Sequence, residues 1–188
     1  MPPITIGYEC EYFVEKDGTI LRSIPIRYDL LDGVGDLIEV RSAWYVDPTD
    51  TATSFESVKD KLEREVKRSG MKLLNLDRHD FGVAHGTFHN PETAGFHIHF
   101  ARPDGKQMPL PLMIDDLTKR FKKEIGSRID LNDFDHYRMK QSTHGGWEYR
   151  LLPATIDVTK VTEFLKLRLP TWEHVYRDIQ SAAYRPRS

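Results

Sequence analysis

The chain holds a single cysteine, Cys10, in 188 residues, so no intrachain disulfide can form and the stapled secreted scaffolds are excluded. No stretch reaches the ~18 consecutive apolar residues of a membrane span. The first residues lack the basic and apolar regions of a secretory signal, and together with the lone thiol this leads to the expectation of a cytoplasmic protein. Neither sign of charge prevails: 27 Lys and Arg face 29 Asp and Glu, a net charge of −2, which supplies no global attraction to nucleic acid or anionic membrane. Glycine-rich phosphate loops are also missing. Gly33-Val34-Gly35 is too short for a dinucleotide fingerprint, and Gly-Lys followed by Ser or Thr does not occur. What is present, 39% hydrophobic and 30% charged residues with no repeat, low-complexity tract or linker, fits one globular domain spanning 1–188.

Apolar periodicity divides the chain into strands and helices. Residues 4–15 alternate as a strand, Lys16-Asp17-Gly18 as a turn, and 19–26 as the hairpin partner. Residues 36–44 form a third strand, 71–76 a short one and 94–102 another, while 78–92 are irregular and rich in His and Gly. Ser54 is expected to cap a helix that runs to Ser69 and stops at Gly70. Pro109 and Pro111 precede a helix over 112–125, and 137–141 with 147–152 read as a hairpin. Asp157 opens a helix that Pro170 is expected to end, and a last amphipathic helix covers 172–183, so that C-terminal helices occupy 157–184. The sum is α+β, an antiparallel-rich curved sheet with helices on one face.

Four of these strands place ionisable groups on one face. The period of two puts Glu9 and Glu11 opposite Tyr8, Cys10 and Tyr12. Likewise Glu39 and Arg41 oppose Ile38 and Val40, and His97 and His99 oppose Phe96, Ile98 and Phe100. Glu148 and Arg150 repeat the Glu-x-Arg pattern, and Arg138 and Lys140 add cations on the neighbouring strand. Each pair alone fits a solvated edge, a surface ion pair or satisfied structural histidines. Together they make a sheet face crowded with both signs of charge, which needs ligands of both signs to be stable. Divalent cations on the carboxylates and imidazoles, with phosphoryl oxygens on the guanidiniums, meet that need.

Gly-Tyr-Glu-Cys-Glu-Tyr-Phe at 7–13, Asp32 seven residues before Glu39-Val40-Arg41, Gly-Phe-His-Ile-His-Phe at 95–100 and Trp-Glu-Tyr-Arg-Leu-Leu-Pro at 147–153 follow one another in a telling order. The chain resembles the glutamine synthetase and glutamate–cysteine ligase superfamily, and within it the compact carboxylate–amine ligases (amidoligases) found largely in phage and bacterial genomes. The resemblance covers roughly residues 4–153 and leaves 45–94 unmatched. It implies a glutamine synthetase-like catalytic core that uses ATP and Mg2+ (or Mn2+) to join a carboxylate to an amine through an acyl phosphate. It also implies Glu9, Glu11, Glu39 and Glu148 as metal ligands, with His97 as a further one. Asp32, as a ligand or a base near the amine, joins Glu39 and Arg150 in catalysis, Arg150 meeting the transferring phosphate. Arg41, His99, Arg138 and Lys140 would bind phosphate or substrate carboxylate. The partners implied are small-molecule or peptide carboxylates and amines, with nucleic acid only where a modified base is the amine. The C-terminal aromatics Trp172, Tyr176 and Tyr184 suit packing within the chain or in a homo-oligomer.

Two other readings compete. His97-Ile98-His99 with Tyr137 forty residues downstream resembles a metal-dependent nuclease with a tyrosine nucleophile, though that leaves Glu9, Glu11, Glu148 and Arg150 without a role. A non-catalytic metal-binding protein is the third.

Overall fold

The computed structural model describes residues 3–21, 37–76, 78–79, 92–102, 108–126, 140–142 and 146–183; the side chains of 78–79, 92–93, 140–142 and 179–183 lie outside the description. In chain order the elements are β1 (Thr5–Lys16), β2 (Thr19–Ile20), β3 (Ile38–Arg41), α1 (Pro48–Arg68), β4 (Lys72–Leu74), β5 (Arg78–His79), β6 (Glu92–Thr93), β7 (Gly95–Ala101), α2 (Leu110–Arg120), α3 (Lys122–Ile125), β8 (Lys140–Ser142), β9 (Gly146–Pro153) and α4 (Val158–Ala183).

The architecture is α+β with an open antiparallel sheet. β1 is its axis: residues 5–10 pair with β7 on one edge, 9–12 with β3 on the other, and 13–16 with β4 and β2. β9 then joins β7, and β8 closes the far side. β5 and β6 form a separate two-stranded ladder inside the segment expected to be irregular.

Alternation sorts the side chains as the sequence suggests. Tyr8, Cys10 and Tyr12 of β1, Ile38 and Val40 of β3, and Phe96, Ile98 and Phe100 of β7 are almost wholly buried. Helices cover that face. Phe55 of α1 meets Tyr8 and Phe96 edge-on, with ring centroids 6.4 and 5.6 Å apart, and Trp172 of α4 meets Phe100 at 6.0 Å. From α2, Thr118 reaches the Tyr149 hydroxyl of β9 at 3.0 Å. Burying large aromatic side chains here contributes roughly 1.5–3 kcal/mol each.

Two boundaries differ from expectation, each for a reason visible in the hydrogen bonding. α1 starts at Pro48 rather than after Ser54: Asp47 Oδ1 accepts the Thr49 N–H at 2.7 Å, and Pro48 sits in the first turn, where its missing N–H costs nothing. Ser54 instead accepts the Ala43 N–H at 2.9 Å and ties the chain before the helix to it. The third strand is only Ile38–Arg41, because the Tyr8 N–H goes to Ser42 Oγ (2.8 Å) in place of a ladder carbonyl.

Pro170, expected to end a helix, lies inside the continuous α4. Interior proline costs ~3 kcal/mol. Tertiary ties on both sides offset it: Arg168 Nε and Trp172 Nε1 both donate to Asp116 Oδ2 of α2, at 3.0 and 2.7 Å, and Leu165, Leu169, Trp172 and Tyr176 are buried. The expected helix over 112–125 is α2 followed by α3. No described helix is long and apolar enough to cross a membrane.

Candidate metal centre

The acidic face is assembled by strand register. On one rung across the sheet Arg41 pairs with Glu9 and Glu9 with His97; on the next, Gly7 pairs with His99 and His99 with Glu148; Glu11 stands opposite Glu39. Directly paired residues have Cβ atoms ~5 Å apart, so side chains distant in sequence converge without any loop contribution. Lys140 lies opposite Glu148 in the β8–β9 register. Between Phe96 and Ile98 the β7–β9 ladder slips by one, so Arg150 and Leu151 together oppose His97. Such a bulge re-aims side chains.

His97 is the centre of the cluster. Its Nδ1 stands 3.0 Å from both Glu9 Oε1 and Glu148 Oε1, and its Nε2 lies 3.9 Å from Glu11 Oε2. Burial opposes charge on this imidazole, but Glu11, Glu148 and Glu9 outweigh it and push its pKa up to about 9. Glu9 is buried, which by itself would raise its pKa; the hydrogen bond with His97 and the nearness of His99 hold it far below the usual carboxylate range. Glu148 is shifted down in the same way: burial opposes, and the His97 hydrogen bond prevails. Glu39 goes the other way. Burial, then repulsion from Glu9, push it up to about 7 despite Arg41.

Two groups of donors fit a cation. Glu9, Glu11 and His97 bring ligand atoms within 4.8 Å of one another, and so do Glu9, His99 and Glu148. Glu9 belongs to both. Each group offers two carboxylates and one imidazole, a hard, oxygen-rich set that suits Mn2+ or Mg2+. His99 supplies an independent sign of fit. Its Nε2 lies 3.3 Å from Glu9 Oε2 without hydrogen-bond geometry, and both its ring nitrogens are buried with no hydrogen-bond partner among the described residues. Buried polar atoms are seldom left so.

The cations sit beside the donors. Arg41 Nε donates to Glu9 Oε2 at 2.8 Å and its Nη2 pairs with Glu39, while half of the side chain stays exposed. Arg150 Nε is 3.1 Å from Glu148 Oε1.

Of the residues singled out in the sequence, Glu9, Glu11, His97, His99, Glu148, Arg41 and Arg150 therefore meet. Glu39 is adjacent, but its carboxylate pairs with Arg41 and belongs to neither donor group. His99, expected on phosphate, joins one of them. Asp32, Tyr137 and Arg138 lie outside the described residues, as does the Lys140 side chain.

Glycine has a role here that charge patterning does not show. The Gly95 N–H donates to Glu11 Oε2 at 2.8 Å, and a Cβ at Gly95 would come 2.6 Å from His97 Nε2. Only glycine lets the backbone hold Glu11 while the His97 ring lies against it. Trp44 was also missed: its ring lies over Gly7 beside His99, and the only sequence sign was the glycine at the head of Gly-x-Glu-x-Glu.

Compared with known proteins, the chain matches no protein-family model and no curated sequence.

Proposed function

We propose that the protein is an ATP- and Mg2+-dependent carboxylate–amine ligase with a glutamine synthetase-like core. One observation carries the reading: two cation-capable donor groups share Glu9 on a single sheet face, with Arg41 and Arg150 bonded into the same cluster. Paired cation positions flanked by guanidiniums suit phosphoryl transfer, which needs positioning and charge neutralisation more than covalent help from the protein.

Glu9, Glu11 and His97 would hold one cation and Glu9, His99 and Glu148 the other; bound there, they would neutralise phosphate charge. The chain's own groups do the rest. As a ligand, His97 would be the neutral imidazole. Arg41 is freed from Glu9 to meet an anionic oxygen, and Arg150, held by Glu148, faces the transferring group. The γ-phosphoryl of ATP passes to the substrate carboxylate with release of ADP. The amine then attacks the acyl carbon, the C–O bond to phosphate breaks, and an amide and inorganic phosphate form as the amine loses a proton.

The test is calorimetric titration of ATP with and without Mg2+ into wild type and Glu148→Gln. Binding that needs the metal and is lost in the variant is expected, followed by amine-dependent ADP release in a screen of acid and amine pairs. Absence of nucleotide binding at every metal concentration would sink the proposal.

A further inference from the structure

Trp44 takes no part in the donor cluster, yet it borders it. Its ring lies on the acidic face over Gly7, where a Cβ would meet the indole atoms at 3.2–3.3 Å, and its centroid is 5.6 Å from that of His99. The backbone on both sides is clamped. Ala43 N–H donates to Ser54 Oγ at 2.9 Å, and Tyr45 exchanges two backbone hydrogen bonds with Ile6, at 2.8 and 3.0 Å. A rigidly held tryptophan with 37% of its surface exposed, lying on a face of carboxylates and imidazoles, is not there to fill the core. Beside it is the buried imidazole of His99, whose ring nitrogens have no hydrogen-bond partner among the described residues.

Gly7 precedes Glu9 by two residues, so the strand position under the indole lies ~7 Å along β1 from that of the residue shared by both donor groups. A nucleotide whose phosphates lie on the cluster can therefore reach the indole with its base. We infer that the open face of Trp44 is the stacking platform for the base of the nucleotide whose phosphates the cluster binds. The inference rests on the proposed nucleotide-dependent function. Every base has a π-face, so the platform adds affinity without choosing among bases.

The experiment titrates ATP, GTP and inorganic tripolyphosphate, each with Mg2+, into wild type, Trp44→Phe, Trp44→Leu and Gly7→Val. Urea unfolding of each variant checks that it is folded. Gly7→Val keeps the indole but drives it off the sheet. Wild type is expected to bind both nucleotides more tightly than tripolyphosphate. Trp44→Leu and Gly7→Val should weaken ATP and GTP alike by roughly tenfold or more, as loss of one aromatic–base stack does, and leave tripolyphosphate unchanged. Trp44→Phe should fall between. ATP, but not tripolyphosphate, should quench the Trp44 emission. Equal ATP affinity in wild type and Trp44→Leu would overturn the platform, and so would an equal loss for tripolyphosphate, which would make Trp44 a support for His99. Wild-type binding of tripolyphosphate with no gain for ATP would also overturn it while leaving the phosphate site standing. Binding of none of the three would remove the underlying function with it.

Discussion

Replacing Gly95 by alanine adds one methyl group at the tightest point of the donor cluster. The new Cβ would lie 2.6 Å from His97 Nε2, about 1 Å inside ordinary contact. The imidazole is 3% exposed and held at 3.0 Å by both Glu9 and Glu148, so it cannot step aside without stretching those contacts beyond hydrogen-bond range. Overpacking of this kind costs ~1–3 kcal/mol, which for a chain of this size lowers Tm by roughly 3–10 °C. The site should lose more than the fold. Displacing His97 strips one donor group of its imidazole and loosens its hold on Glu9 and Glu148 of the other, so Mn2+ stoichiometry should fall below two. Urea denaturation followed by circular dichroism reads the first effect, and Mn2+ titration by electron paramagnetic resonance reads the second. Wild-type stability together with two bound Mn2+ would show that the ring moves freely and that Gly95 does not position it.

Three further outcomes are expected. His97, raised to about 9, stabilises the metal-free fold fully below its ordinary pKa and loses that contribution as pH rises through 9; Glu39, raised to about 7, adds a loss that starts near its ordinary pKa and is complete by about 7, so it overlaps only the start of that range. Chelator-treated protein should therefore lose Tm between pH 6 and 9, with the gain from added Mg2+ growing over the same interval; a Tm independent of pH and metal would contradict the cluster electrostatics. Asp116→Ala leaves the buried Trp172 indole N–H without its acceptor and removes the Arg168 tie beside Pro170, for a loss of about 2–4 kcal/mol in urea unfolding, whereas Asp116→Asn, which keeps an acceptor, should cost about half as much. Burial pushes the Cys10 thiol up to about 12, so alkylation at pH 8 should proceed at the rate of global unfolding; faster labelling would mean that β1 opens locally.

Much of the site was legible because a strand has a period of two. Glu9, Glu11, His97, His99 and Glu148 could be assigned to faces from their spacing, and the same spacing identified Tyr8, Cys10, Phe96 and Ile98 as core. The helix errors came from competing local signals. Ser54 reads as a cap, but Asp47-Pro48 is the stronger start, and the threonines that follow it, weak helix formers, are accommodated by bonding back one turn, Thr51 to Asp47 O and Thr53 to Thr49 O. Pro170 reads as a stop in any sequence. Here an acceptor on another helix, Asp116, fixes the turn on either side of it.

By itself, the sequence determined which residues share a face and which chemistry that face can carry, since both follow from local periodicity and side-chain type. Tertiary structure alone decided the register: that Glu9 lies between Arg41 and His97, that it is common to two donor groups, that Gly95 makes room for His97, and that Trp44 lies over Gly7. Register depends on which strands pair and where their ladders slip. Those are long-range choices set by burying the opposite face under α1, α2 and α4, and no short window of sequence contains them.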